Sequence, residues 1–201
     1  MFAETIHLPP NGRLDFLQTF LSPEEADVLL GCFLTHIRWQ QDSIHLHGKP
    51  VQIPRLQAWY GEPEASYSYS GLRLEPQPMF EELKKVRTRL EQQASASLGT
   101  PVLFNAALCN LYRDGQDSVS WHADDEHELG LNPVIASLSL GGSRTFSLQH
   151  KKDKSLKYHL ELPHNSLLLM SGDLQHHWRH QVAKTRKVCE PRVNLTFRRV
   201  F

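Results

Sequence analysis

Residues 192–198 read Arg-Val-Asn-Leu-Thr-Phe-Arg, with polar and apolar residues in alternation. A period of two is the signature of a β-strand whose two faces differ. Arg192, Asn194, Thr196 and Arg198 share one face, and Val193, Leu195 and Phe197 share the other. Alone, the stretch reads as a half-buried strand, and an edge strand with a solvated basic face would look the same. Six residues of strand span roughly 20 Å, and each guanidinium reaches inward, so the two arginines can bracket one short dicarboxylate. Arginine suits that task because its planar fork binds carboxylates bidentately.

A second stretch, Ser118-Val-Ser-Trp-His-Ala-Asp-Asp-Glu126, supplies metal-ligand chemistry. His122 and Asp124 are two apart, so an extended segment turns both to one side. Two histidines and one carboxylate, with open positions opposite, form the ligand set of non-haem Fe(II) oxygenases. The third ligand must come from downstream, where His164, His176, His177 and His180 compete. His164 lies in Leu-Pro-His-Asn, which reads as a turn between strands. His176, Trp178 and His180 share parity on an expected strand, so spacing does not choose among them.

The rest of the chain frames these motifs. Residues 1–21 read as an irregular lead. Ser22-Pro-Glu-Glu25 is a capping box with proline at the first helical position, and it opens a helix running to about Trp39. Residues 44–74 read as strands and turns interrupted by Pro54 and Pro63. Pro78 to about Ala96 is amphipathic, carries Phe80, Leu83, Val86 and Leu90, and ends near Gly99. Beyond it the pattern is strand. Val134–Gln149 is expected to fold as a hairpin around Gly141-Gly142, and Tyr158–Leu162 with Ser166–Met170 as another pair. Residues 176–183 and 192–200 supply two more strands. The expected fold is mainly β (α+β): a double-stranded β-helix, or jelly-roll, core with N-terminal helices packed on one sheet. Residues 1–98 would hold the helices and recognition strands and residues 99–201 the core, in one compact catalytic domain.

Composition agrees with a reducing compartment. The 201 residues include three scattered cysteines, Cys32, Cys109 and Cys189, which suggest no disulfide framework. No apolar run approaches membrane-spanning length, and no secretory signal opens the chain. A cytoplasmic monomer is expected, nucleoid-associated in a bacterium or nuclear in a eukaryote. Formal net charge is zero, yet residues 144–201 carry twelve Lys/Arg against four Asp/Glu. Lys151, Lys152, Lys154 and Lys157 crowd one expected loop, and Lys184, Arg186 and Lys187 another. Such clusters can track phosphates, or can simply be solvated loops.

The order Asn110-x-Tyr112, Asp114-Gly115, His122-x-Asp124, a later histidine and Pro191-Arg-Val-Asn-Leu-Thr-Phe-Arg198 resembles the AlkB family of Fe(II)- and 2-oxoglutarate-dependent nucleic acid dealkylases. The likeness covers roughly residues 50–201. Arg55-Leu-Gln-Ala-Trp-Tyr60 and Tyr67-Ser-Tyr-Ser-Gly71 resemble the branch that acts on duplex DNA. The resemblance selects His180 as third iron ligand beside His122 and Asp124. It implies that Arg198 anchors the 2-oxoglutarate carboxylate near the metal, that Arg192, Asn110 and Tyr112 hold the far one, and that Asn194 supports the cosubstrate. It implies Fe(II), 2-oxoglutarate and O2 as reactants, with succinate, CO2 and an aldehyde released from 1-methyladenine- or 3-methylcytosine-type bases in DNA.

A base must leave the duplex to reach such a site. By resemblance Tyr69 stacks on it opposite His122, while Tyr67, Arg55, Glu126 and neighbouring Asp125 contact the nucleotide. His47 stands where this branch has a bulky aromatic wedge, and histidine offers less apolar area. The expected partner is DNA, duplex or single-stranded, and RNA as a further candidate, with no membrane. Two other classes compete: an oxygenase of the same fold acting on RNA, protein or a small molecule, and a catalytically silent nucleic-acid-binding domain.

Overall fold

The computed structural model describes residues 4–46, 49–69 and 72–201, with side chains except at 45–46, 67–69 and 72–73. In chain order the elements are β1 (Glu4–Leu8), β2 (Gly12–Leu17), α1 (Pro23–His36), β3 (Ser43–Leu46), β4 (Lys49–Gln52) and β5 (Leu56–Gly61). Then come β6 (Tyr67–Tyr69), β7 (Leu72–Leu74), α2 (Glu81–Leu98), β8 (Ala106–Tyr112), β9 (Val119–His122), β10 (Ile135–Gly141) and β11 (Arg144–His150). The chain closes with β12 (Lys157–Leu162), β13 (Ser166–Gly172), α3 (Leu174–His177), β14 (Trp178–Val182) and β15 (Arg192–Arg198). Among the described residues, no helix is long and apolar enough to cross a membrane.

Local chemistry explains the helices. The Ser22 hydroxyl accepts from the Glu25 amide at 3.2 Å, and Pro23 occupies the first turn of α1. The Glu25 carboxylate pairs with Arg89 of α2, tying the two helices. Leu83, Val86, Leu90 and Ala94 form the buried stripe of α2, which stops where Gly99 turns left-handed at φ 68°.

The strands form two antiparallel layers. A seven-stranded sheet has the order β1-β2-β13-β10-β15-β8-β5, and a four-stranded sheet the order β12-β11-β14-β9. Together they make the expected jelly roll. One face of the large sheet packs Leu138, Leu195 and Phe197 against Phe33 of α1 and Leu83 and Leu90 of α2. The other face meets the small sheet through Phe16, Leu168 and Met170 against Phe146, Leu148 and Trp178. The helices therefore cover one sheet, and the space between the sheets is left for chemistry.

Four expectations change. The supposed irregular lead forms β1 and β2, an antiparallel pair joined to β13. Its Ile6, Leu8, Leu14 and Phe16 pack with the inter-sheet core. With β5, strands from the first 98 residues thus fill three of the seven places in the main sheet. The strand at 192–198 is not half-buried. It lies between β10 and β8 and is buried on both faces.

The other two changes concern pairing. β10 and β11 lie in different sheets, and so do β12 and β13. The true hairpin is β11–β12, with Arg144 opposite Leu162 and Gln149 opposite Lys157. Gly141-Gly142 is a corner that crosses between sheets. A side-chain carbon on Gly141 would stand 2.2 Å from the Pro191 carbonyl, and one on Gly142 2.2 Å from that of Glu190. Both glycines are needed for the approach of the segment entering β15. The second crossing, at Pro163-His164-Asn165, uses a left-handed Asn165 (φ 66°) and packs on the first, since the Gly141 amide donates to His164 Nδ1 at 2.9 Å.

Gly141→Ala combines that collision with φ 87°. It should lower stability by about 2 kcal/mol or more. Urea unfolding should show a lower midpoint at unchanged slope.

Candidate active site

The register of two strands assembles the site. β14 pairs antiparallel with β9, placing His180 directly opposite His122. Their rings meet edge to face with centroids 4.2 Å apart. Asp124 lies two residues beyond the end of β9 and turns its carboxylate back, with Oδ2 3.9 Å from His180 Nε2. One ligand atom from each of His122, Asp124 and His180 lies within 4.8 Å of the others, the only such cluster among the described residues. His176 and His177 belong to α3, so the strand parity that made His176 a competitor does not exist. His177 stacks on His150, and His164 sits at the far corner.

The donor chemistry suits a divalent transition ion. Burial pushes His180 down to about 3, aided by neighbouring His122 and only partly opposed by Asp124. Burial also lowers His122, against the pull of Asp124. Its Nδ1 lies 2.8 Å from the Ser120 carbonyl, which can only accept, so the proton sits on Nδ1 and Nε2 is the ligand atom. For Asp124, burial alone would raise the carboxyl, but Arg198 and then the two histidines hold it below the ordinary range. The cluster is thus two neutral imidazoles and one carboxylate, as hard-to-borderline metals require.

The cationic half of the site comes from β15. Arg192, Asn194, Thr196 and Arg198 all line the cavity with the three ligand candidates. Arg192 and Arg198 are among the largest fully buried side chains, at 1% and 2% exposure, which rules out a solvated basic face. Arg198 Nη1 reaches Asp124 Oδ1 at 3.4 Å. Arg192 Nη2 donates to Ser139 at 2.9 Å and its guanidinium lies 5.1 Å from the Tyr112 ring. Its Nε and Nη1 are buried without a hydrogen-bonding partner. Burial pushes Arg192 down to about 10 despite support from Tyr112.

Unmet buried donors are costly, and an anion is the natural remedy. Among the lining side chains three guanidiniums, Arg55, Arg192 and Arg198, face one carboxylate, Asp124. An entering dicarboxylate offsets the excess of two positive charges on the side chains, to which a divalent ion would add two more. The residues therefore fit both a divalent metal and a cosubstrate diacid.

Most expected site residues converge here. Asn110 and Tyr112 of β8 line the cavity, and the Asn110 carbonyl accepts from Arg55 Nε at 2.8 Å. Asn194 is held by Ser137 at 2.8 Å and by the Leu138 carbonyl at 3.0 Å. Asp125 and Glu126 do not line the cavity. Asp125 is half exposed and pairs with Lys151 at 2.7 Å. Glu126 is half-buried before a 3-10 turn at His127–Leu129. His47 and the side chains of Tyr67 and Tyr69 lie outside the described residues. Sequence reading missed Ser137 and Ser139, which orient Asn194 and Arg192. Their signal is the alternation Ala-Ser-Leu-Ser-Leu in 136–140, which puts both hydroxyls on one face.

Comparison with known proteins agrees. The family model described as the 2OG-Fe(II) oxygenase superfamily matches residues 13–198. Alpha-ketoglutarate-dependent dioxygenase alkB homolog 3 of Homo sapiens is 39% identical over 207 residues, covering 98% of this chain and 70% of that protein. DNA oxidative demethylase ALKBH2 of Bos taurus is 41% identical over 164 residues, covering 78% of this chain and 57% of that protein. The solved structure of OsALKBH1 superposes with a TM-score of 0.67 at 16% identity, over 98% of this chain and 100% of that one, a likeness of fold alone.

The neutral state of His180 has a pH consequence for the metal-free protein. Its imidazole titrates near 6.5 when unfolded and at about 3 when folded. Between those values only the unfolded chain takes up the proton, so stability falls as pH falls, by about 1 kcal/mol per unit. Above pH about 6.5 the effect vanishes. Urea midpoints measured from about pH 7 down to about pH 5 should drop, and His180→Gln should flatten the slope.

Proposed function

We propose that this chain, which belongs to the 2OG-Fe(II) oxygenase superfamily and is an Fe(II)- and 2-oxoglutarate-dependent dioxygenase, removes alkyl groups from nitrogen atoms of bases in DNA. The observation that carries the reading is the convergence of His122, Asp124 and His180 with the buried Arg192 and Arg198 in one cavity. The relatives support the substrate class: one bears the name DNA oxidative demethylase. Fe(II) with 2-oxoglutarate and O2 supplies the oxidation that turns an N-alkyl group into a leaving aldehyde, with succinate and CO2 as co-products.

The chain's own residues do the rest. His122, Asp124 and His180 would hold the metal. Arg198 would neutralise Asp124 and take the nearer carboxylate of the cosubstrate. Arg192, with Tyr112 beside it, would take the farther one and so fill its unmet donors. Asn110 and Asn194 would fix the cosubstrate's orientation, each already braced, the first by Arg55 and the second by Ser137. Burial between two sheets keeps bulk water from these groups and strengthens every charge contact inside.

The remaining assignments rest on the resemblance alone. They are Tyr69 and Tyr67 against a flipped base, His47 as a wedge, and Arg55, Asp125 and Glu126 as nucleotide contacts. DNA is proposed as the partner, with RNA as a second substrate. A monomer is proposed, and a reducing compartment, cytoplasm or nucleus, suits the three free cysteines.

Singly methylated oligonucleotides incubated with Fe(II) and 2-oxoglutarate should release formaldehyde and recover the unmodified mass. Release from no oligonucleotide, single- or double-stranded, would overturn the reading. His122→Ala and Asp124→Ala should each reduce turnover by about 100-fold or more while the chain stays folded. Arg192→Met should raise KM for 2-oxoglutarate by about 10-fold or more, with a smaller change in kcat.

A further inference from the structure

We propose that Gln175 is the positioning residue of the metal site: with Lys151 it pins the segment of Asp124 and Asp125 to α3 and so fixes Asp124 relative to His180. The inference rests on the assignment of His122, Asp124 and His180 as ligands. The β9 ladder ends at the His122–His180 pair, so no strand sets the conformation of Asp124. Its amide donates to the Gln175 side-chain carbonyl at 3.0 Å, and both residues are buried, at 4% and 1% exposure. The Gln175 amide group in turn rests on Met170 Sδ at 3.7 Å.

A second tie holds the next residue. Lys151 Nζ donates to the Gln175 main-chain carbonyl at 2.7 Å and to Asp125 Oδ2 at 2.7 Å. Adjacent residues 124 and 125 are therefore both referred to one glutamine, the first through its side chain and the second through its backbone. α3 runs without a break into β14, and Gln175 stands five residues before His180. Two ligands from separate segments thereby share one frame. The carboxylate faces demands on both oxygens, with Arg198 3.4 Å from Oδ1 and His180 3.9 Å from Oδ2. A small rotation of the unpinned segment would lose both. Removing Gln175 also orphans a buried amide, which then seeks another conformation.

Asp125 consequently has a structural part as well: its carboxylate holds Lys151. Groups that orient metal ligands from behind contribute roughly 10- to 100-fold in metal affinity.

Titration of the metal-free chain with Co(II), followed by visible absorption, tests this without turnover. Gln175→Leu keeps volume and loses the acceptor, and should bind Co(II) roughly 10- to 100-fold more weakly while its metal-free melting stays cooperative. Lys151→Met, at a partly exposed site that tolerates change, should weaken binding by about two- to fivefold. Asp125→Asn keeps an acceptor for the lysine and should bind more tightly than Asp125→Ala. Wild-type Co(II) affinity in Gln175→Leu overturns the proposal. Should that variant fail to fold, wild-type affinity in Lys151→Met overturns it instead. Undiminished Co(II) binding by His122→Ala would sink the ligand assignment itself. A chain that binds Co(II) through His122 yet demethylates no oligonucleotide would sink only the proposed activity.

Discussion

The structure turns on one cross-strand pair. His180 of β14 stands opposite His122 of β9, and a slip of one residue would send one imidazole to the outer face of the small sheet. The register shifts just beyond the pair, between His180 and Val182. Such irregularities commonly re-aim side chains beside functional sites. The large sheet then only has to present β15 at the right height, which its pairing of Asn194 with Ser139 and Asn110 achieves.

That arrangement asks the core to tolerate charge. Arg55, Arg144, Arg192 and Arg198 are all buried, and each is handled differently. Arg144 is spent on the carbonyls of Asp114, Asp117 and Ala183, closing the loops at one end. Arg55 is spent on Asn110, Gln57 and the Ser118 carbonyl. Arg198 faces Asp124. Arg192 keeps two buried donors, Nε and Nη1, without a hydrogen-bonding partner, while its Nη2 donates to Ser139 and its guanidinium lies over the Tyr112 ring. A cation left in that state lowers stability on its own account, so its value lies in a bound anion.

The chemistry of the site was more legible in the sequence than its architecture. The polar face of 192–198 declares itself through a period of two, which is local, and the pair His122-x-Asp124 through its residue types, although β9 ends at His122 and the Asp124 carboxylate is turned back by the segment beyond it. The helices also declared themselves, since Ser22 and Gly99 act within a few residues of their own positions. What failed was pairing. Gly141-Gly142 has the composition of a hairpin turn, and only the distant Glu190 and Pro191 carbonyls make it a corner. The first 21 residues looked irregular because β1 and β2 are short and β2 takes its second partner, β13, from far along the chain. The choice among histidines failed on spacing for the same reason: α3 interrupts the parity that a continuous strand would have imposed. Gln175 and Lys151 were invisible, because their partners lie 51 and 26 residues away.

Burial also settles the protonation of the ligands before any metal arrives. Below pH about 6.5, a metal entering an exposed His-Asp-His cluster must displace protons from the imidazoles, and its affinity then falls as the pH falls. Here both imidazoles are already held neutral by desolvation, and Asp124 is held ionised by Arg198 against its own burial. The same low-dielectric pocket that makes three guanidiniums expensive keeps those imidazoles uncharged. Binding at mildly acid pH therefore costs little in proton release, and the deprotonation has been supplied in advance by the fold. The stability lost on burying Arg192, and on depriving His180 of its proton, is the cost of a donor set ready for its ion.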